Sequence, residues 1–443
     1  MGLIRSLTSG SSSLRAHQSR FDVISNNLAN ANTVGFKSSR ATFADQISQT
    51  YNYGRGPSEI GGIGIGGTNP LQYGLGVKMG SVQKDMSQGI IESTNRPLDV
   101  ALNGDGYLVY NSNGRNLYSR AGAITRDKAG NLVDANTGAF LQGYNIERDG
   151  NGLMVKDGAN SNILNRTSGN LNIPPGIMSQ PRQTSEVSFS GNLSNTMEEG
   201  DSRSASIKIF DNTGGPRDLT LIFTKTANEG EFNITAQIDG NDITLPAAGV
   251  LQFNPDGTLA SPTDLSLTAA SLNAALGSTT IFDETTPKDI TVQLQNENSL
   301  IENSLTSFSS PSNATALTQD GYQAGDLVGL NVDSQGKIWG SFDNDRTELL
   351  GQMVMAKFTN PEALRNTGNN YFAATGNSGE ANIGTAGEIF PSTTIEGNAL
   401  ELSNVDMTTQ FTDLIATQRA FEAASRTVTV SDQLLAEMNN LKR

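Results

Sequence analysis

The chain has no cysteine and only one histidine and one tryptophan in 443 residues. Without a thiol there is no disulfide, no thiolate nucleophile and no Cys-ligated zinc or iron–sulfur centre. With His17 alone, a zinc site built on two histidines is excluded, and a Ser-His-Asp triad would have to run through that residue. Long hydrophobic runs are also missing. No window reaches the roughly 18 apolar residues of a membrane span, and charges and a Gly-Ser run break up the N-terminus where a cleavable signal would carry its apolar stretch. The expectation is a chain without membrane insertion, exported, if at all, with its N-terminus intact. Positive charge is short: 30 Lys+Arg face 45 Asp+Glu, a net −15, which repels phosphate and argues against nucleic acid as a partner. Aromatics make up 6% of the residues, too few to indicate a stacking platform for sugars or single strands.

What is present is glycine (47 residues), serine, threonine and asparagine, with 36% hydrophobic and 17% charged residues. This is the profile of turn-rich β structure with thin cores. At roughly 150 residues per domain, the length predicts about three domains.

Both ends depart from that profile. Leu7, Leu14, Phe21 and Leu28 recur every seven residues, with Leu3, Gly10, His17, Ile24 and Ala31 as the partner row, which is an a/d seam on a helix. Gly10 and the serines at 11–13 weaken it, the glycine by about 1 kcal/mol, so this helix needs a partner. His17 sits on the seam and reads as a packed or interface residue. At the other end Met407, Leu414, Phe421, Val428 and Leu435 repeat every seven residues, widened by Phe411, Ile415, Leu434, Met438 and Leu441. Ser403 followed by Asp406 reads as a capping box. Residues 1–40 carry +4 and residues 396–443 carry −3, so the two helices are expected to pair.

Between them the chain alternates with period two. Ala205, Ile207 and Ile209, then Leu219, Leu221 and Phe223, then Phe232, Ile234, Ala236 and Ile238 predict a three-stranded meander with one buried face. Residues 255–316 read as weak strands plus loop. In 52–76 glycines alternate with single apolars. The stretch 62–67 formally fits GxGxxG, but no strand–helix context surrounds it, so a flexible or extended connector is the expectation. The remaining enzyme chemistry is a carboxylate pair. Asp343/Asp345 and Glu198/Glu199 are near in sequence, yet Asp343-Asn344-Asp345 reads as a turn.

Four blocks carry a resemblance: NNLANANTVGFKSSR (26–40), GLGVKMGS with QGIIESTNRPLDVALNGDGYLVY (74–81, 88–110), LTQDGYQAGDLVGLNVDSQGKIWG (317–340) and ALELSNVDMTTQFTDLIATQRAFEAASR (399–426). In this order they resemble the bacterial flagellar rod and hook axial family. About 170 residues inserted between Tyr144 and Leu317 are similar to the outer domain of the hook branch; a distal rod protein is the alternative, and a carboxylate-based cell-wall glycosidase the one from another class. Ala424 stands where relatives commonly carry Asn or Gln.

The resemblance implies a mainly β fold with α-helical termini that pair as a coiled-coil-like inner domain, followed by discontinuous all-β domains in a nested, elongated arrangement. The expected divisions are 1–40 with 399–443 (inner helices), 41–75 (connector), 76–143 with 318–398 (first β domain) and 144–317 (outer β domain). It further implies a non-enzymatic subunit that polymerises into a curved, torque-transmitting tube, with no cofactor. The implied polymer interface is Leu7, Leu14, Phe21, Ile24, Asn27, Leu28, Asn30, Asn32, Phe411, Leu414, Ile415, Phe421, Val428 and Leu435, and the hinge is Gly61, Gly62, Gly64, Gly66 and Gly67. Gly35 is expected to cap the first helix in a left-handed conformation. Implied partners are further copies of the chain, a distal rod protein, a hook–filament junction protein, a hook cap and the flagellar export apparatus. The location is the flagellum, outside the cell or in the periplasm where flagella are internal.

Overall fold

The computed structural model describes residues 2–60, 63–149, 154–156, 161–245, 249–277, 281–283, 289–296 and 302–441. Helices close both ends: α1 (Gly2–Ala29) and α3 (Met407–Leu441) lie against each other. Among the described residues, what lies between is strand and turn, except for a short α2 (Ala269–Ala275) and a single 3-10 turn (Pro361–Ala363).

Residues 39–84 differ from the expected connector. Ser39–Asp45 pairs antiparallel with Val77–Lys84, Ser48–Asn52 with Leu71–Gly74, and Ser58–Ile60 with Ile63–Ile65, with an Arg55–Thr68 bridge between. The segment is one long two-stranded ribbon. Its glycines permit the pairing: a Cβ on Gly54 would stand 2.9 Å from the Thr68 carbonyl oxygen, and one on Gly67 3.0 Å from that of Arg55, closer than side-chain carbons approach. Of the hinge glycines, Gly64, Gly66 and Gly67 belong to this ribbon; Gly61 and Gly62 lie outside the described residues.

The first β unit joins chain from both sides of the insertion. Phe140–Asn145 pairs antiparallel with Thr347–Met353, which continues through Lys337–Phe342 to Gly325–Val332. Its core holds Leu102, Leu108, Tyr110, Leu141, Ile338 and Met353. Ile146, Met154, Leu171, Ile173 and Ile177 pack into that same core, so residues expected at the start of the insertion belong here. The crossing comes later, where Arg182 and Tyr322 exchange backbone hydrogen bonds of 2.9 and 3.0 Å.

The inserted unit contains the expected meander. Ser202–Phe210, Pro216–Lys225 and Glu231–Ile238 pair in sequence, with Leu219, Leu221, Phe223, Phe232 and Ile238 fully buried. Glu186–Asn192 forms a second sheet with Ile290–Gln293 and Thr315–Gln319. In the stretch read as weak strands plus loop, α2 is capped by Thr268, whose hydroxyl accepts from the Ser271 amide.

Candidate functional site

The terminal helices run antiparallel. Ser6 and Ser431 share a hydrogen bond of 3.0 Å, Arg20 pairs with Asp413 at 2.9 Å, and Asn27 donates to Gln410 at 3.0 Å. Between the two helices themselves the charge difference appears as the Arg20–Asp413 pair.

The seam is not the row of large side chains. In α3 the buried positions are Thr417, Ala424 and Ser431, again seven apart but small. In α1 the buried positions are Gly10, Ala16, Ile24 and Asn27. Small residues let the helices approach: a Cβ on Gly10 would meet Val428 Cγ2 at 2.7 Å and the Ala424 carbonyl oxygen at 3.7 Å. Leu7, Leu14, Leu28, Leu414, Val428 and Leu435 are half-buried. Phe21, Phe411, Ile415 and Phe421 are exposed, as are Val430, Leu434 and Met438. Two expected interface residues are consumed inside the chain: Ile24 is packed away, and Asn27 is 1% exposed. Asn27 donates to the Ser39 carbonyl and accepts from the Ser39 amide, fixing where the ribbon leaves the helix. Asn30 donates back to the Asn26 carbonyl; Asn32 is exposed.

Two capping expectations shift. Asp406, not Ser403, caps α3, accepting from the Thr408 amide at 2.9 Å and the Thr409 hydroxyl at 2.5 Å; these bonds hold its carboxyl below the ordinary value. Ser403 makes a local turn to the Val405 amide. Gly35 has a φ of +68°, but it lies past the helix end. Its lack of a side chain serves a close approach, since a Cβ would meet the Ala121 amide at 2.7 Å.

The ribbon packs along α1. The Ser12 hydroxyl accepts from the Val77 amide at 3.3 Å, which gives the serine run a role. His17 meets Phe43 edge-on at 5.5 Å, and burial, then Arg20, lowers its pKa. The Arg5 guanidinium lies 5.3 and 5.2 Å from the rings of Tyr51 and Tyr73.

Sequence reasoning missed one cluster. Glu401, fully buried, accepts from Lys37 at 2.7 Å, from Arg120 at 3.2 Å and from the Gly89 amide at 2.8 Å. Lys37 also donates to the Ser87 carbonyl and Arg120 to the Gly104 carbonyl. Burial lowers the Lys37 pKa against the opposing pull of Glu401. The cluster ties the ends of the chain to the first β unit. Only the pairing of a lysine just after one helix with a glutamate just before the other hinted at it. Among the described residues no group of three or more His, Asp or Glu is placed to hold a metal ion, and no helix is long and apolar enough to cross a membrane.

Comparison with known proteins agrees with this architecture. Four family descriptions match in order along the chain: Flagella basal body rod protein (7–37), Flagellar hook protein FlgE/F/G D1 domain (101–192), Flagellar basal body protein FlaE D2 domain (179–322) and Flagellar basal body rod FlgEFG protein C-terminal (396–441). The chain is 33% identical to the flagellar hook protein FlgE of Treponema pallidum, covering 100% of both. It is 34% identical to that of Borreliella burgdorferi, over 99% of this chain and 100% of the relative. Against that of Escherichia coli the identity is 32%, over 97% and 98%. The crystal structure of Helicobacter pylori flagellar hook protein FlgE2 superposes with a TM-score of 0.45 at 14% identity, covering 70% of this chain and 100% of that one. With end-to-end similarity above 30% and four family descriptions matched in order, the chain belongs to the flagellar hook protein FlgE family.

Proposed function

We propose that this hook subunit polymerises through its terminal helices into a curved, hollow tube that carries torque between rod and filament while bending. The observation that carries the reading is the sidedness of α3: its small residues are buried against α1, while Phe411, Ile415, Val430, Leu434 and Met438 face out. Apolar rows on a charged, water-exposed helix are stable when neighbours cover them. Further copies of the chain are the occupants this reading assigns, with α1 and α3 forming the inner wall and the β units the outer layers. Such a subunit works by packing and calls on no catalytic group.

The remaining partners follow from the position of a hook: a distal rod protein below, a junction protein above, a cap during growth and the export apparatus that delivers the chain. A cysteine-free sequence with weak terminal helices suits passage in an unfolded state. We assign its place to the outside of the cell, or to the periplasm where flagella are internal. Electron microscopy of the full-length chain beside a version lacking 1–40 and 399–443, in polymerising salt, tests the assembly. Curved tubes from the first and monomers from the second are expected; tubes from the truncated chain would overturn the role of the helices.

A further inference from the structure

The net charge of the chain is very unevenly placed. Residues 183–320 hold five Lys+Arg against 18 Asp+Glu, a net −13 of the total −15. Near the start of this acidic unit, Glu198, Glu199 and Asp201 are exposed on one turn, closed by the Asp201 amide donating to the Glu198 carbonyl.

The first β unit carries a surface of the opposite kind. A groove of about 550 Å³ is lined by Arg96, Leu98, Ile124, Arg126, Leu327 and Val328, among others. Neither arginine forms an ion pair or side-chain hydrogen bond among the described residues. Beside them Val328 is 73% exposed, and the pairing register explains how. Leu327 sits opposite Phe342 and Gly329 opposite Ser341, so Val328 is the extra residue of a β-bulge. Bulges re-aim a side chain, and this one turns an apolar group into water at a groove that also carries Arg96 and Arg126.

The geometry points to this groove as the docking site for the acidic turn 198–201 of a second copy. The match is chemical: two free arginines and an apolar floor meet three clustered carboxylates. Groove and turn lie on different units of the chain, so one copy's turn in another's groove is a heterologous contact, which propagates a helical array. One turn in one groove is below the size of a stable standalone interface. It therefore acts as an addition to the helix packing, and the inference rests on the proposed polymer. Attraction of this kind also offsets the mutual repulsion of outer units that are each strongly negative.

The absence of native cysteine makes a clean test. Val328→Cys and Glu199→Cys are placed in separate full-length chains, mixed, assembled and oxidised. Covalent dimers that need both variants are expected on a non-reducing gel, and each variant alone should give none. Tubes that form normally from the mixture yet yield only monomer on the gel would overturn the docking while leaving the polymer reading intact. Failure of the unaltered chain to form tubes would overturn both. Charge reversal is the second readout and does not depend on disulfide geometry. Arg126→Glu and Glu199→Arg should each raise the critical concentration for assembly about fivefold or more, and the pair together should return it to within about twofold. Singles that assemble like the unaltered chain would reject the contact.

Discussion

Gly10 of α1 and Val428 of α3 are so closely apposed that a Cβ at position 10 would lie 2.7 Å from Val428 Cγ2. The glycine that weakens the helix as an isolated segment is the one that lets the two helices meet. Gly10→Leu should separate them and abolish tube formation, while the β units, which do not touch this seam, keep their melting temperature within about 2 °C. Scanning calorimetry and electron microscopy on the same sample check this. Gly10→Ala combined with Val428→Ala should recover assembly, because the added methyl enters the space the valine leaves.

Glu401 is the common acceptor of two buried cations. Glu401→Ala strands Lys37 and Arg120 without a counter-charge, and losing one member of such a group costs about 3–5 kcal/mol. Urea unfolding should show that loss. Limited proteolysis should show early cleavage within residues 1–40, because the cluster is their anchor to the first β unit. Glu401→Gln, which keeps acceptor capacity, should fall between the two.

The start of α3 should respond to acid in a defined direction. The Asp406 carboxyl is held below its ordinary 3.8, first by the Thr409 hydroxyl and then by the Thr408 amide. A depressed carboxylate contributes its stabilisation above the unfolded value, and the contribution disappears as pH falls through the lowered one. Helicity at 222 nm should therefore decline below about pH 4. The decline should be shallower in Asp406→Asn, which accepts the same bonds without titrating.

Removal of residues 61–67 should straighten or stiffen the polymer, because it shortens the ribbon that runs along α1 and past its start. Measured curvature of assembled tubes decides the matter: bending equal to that of the full chain would reject a compliant role for this segment.

Much of this architecture was legible in the residues, with instructive offsets. The meander was readable because Leu219 to Phe223 and Phe232 to Ile238 alternate cleanly around turns that match the pairing. The helices were readable from their heptads, but the buried face was placed one row away. Phe411, Ile415 and Phe421 look like core by composition, and Thr417, Ala424 and Ser431 do not; in the single chain the small row packs and the large row stays exposed. The ribbon was obscured by its glycines, which resemble a linker until Gly54 and Gly67 are seen against Thr68 and Arg55. α2, with seven residues, was too short for a periodic signal. The Glu401 cluster joins residues 281 and 364 positions apart, a separation that no local pattern encodes.

The chain is nested like brackets, and this sets an order of events for a chain that folds from an extended state. Partners in the meander are 14 residues apart at Ser206 and Thr220, those at the Arg182–Tyr322 crossing 140, and those at Asn27 and Gln410 383. Loops that close over short separations form first, so the central unit can complete itself while both ends are still searching. α1 leads the sequence yet is finished last, since its seam exists only when α3 has arrived. In the proposed polymer, the part of the molecule that meets its neighbours is thus the part kept unfinished longest.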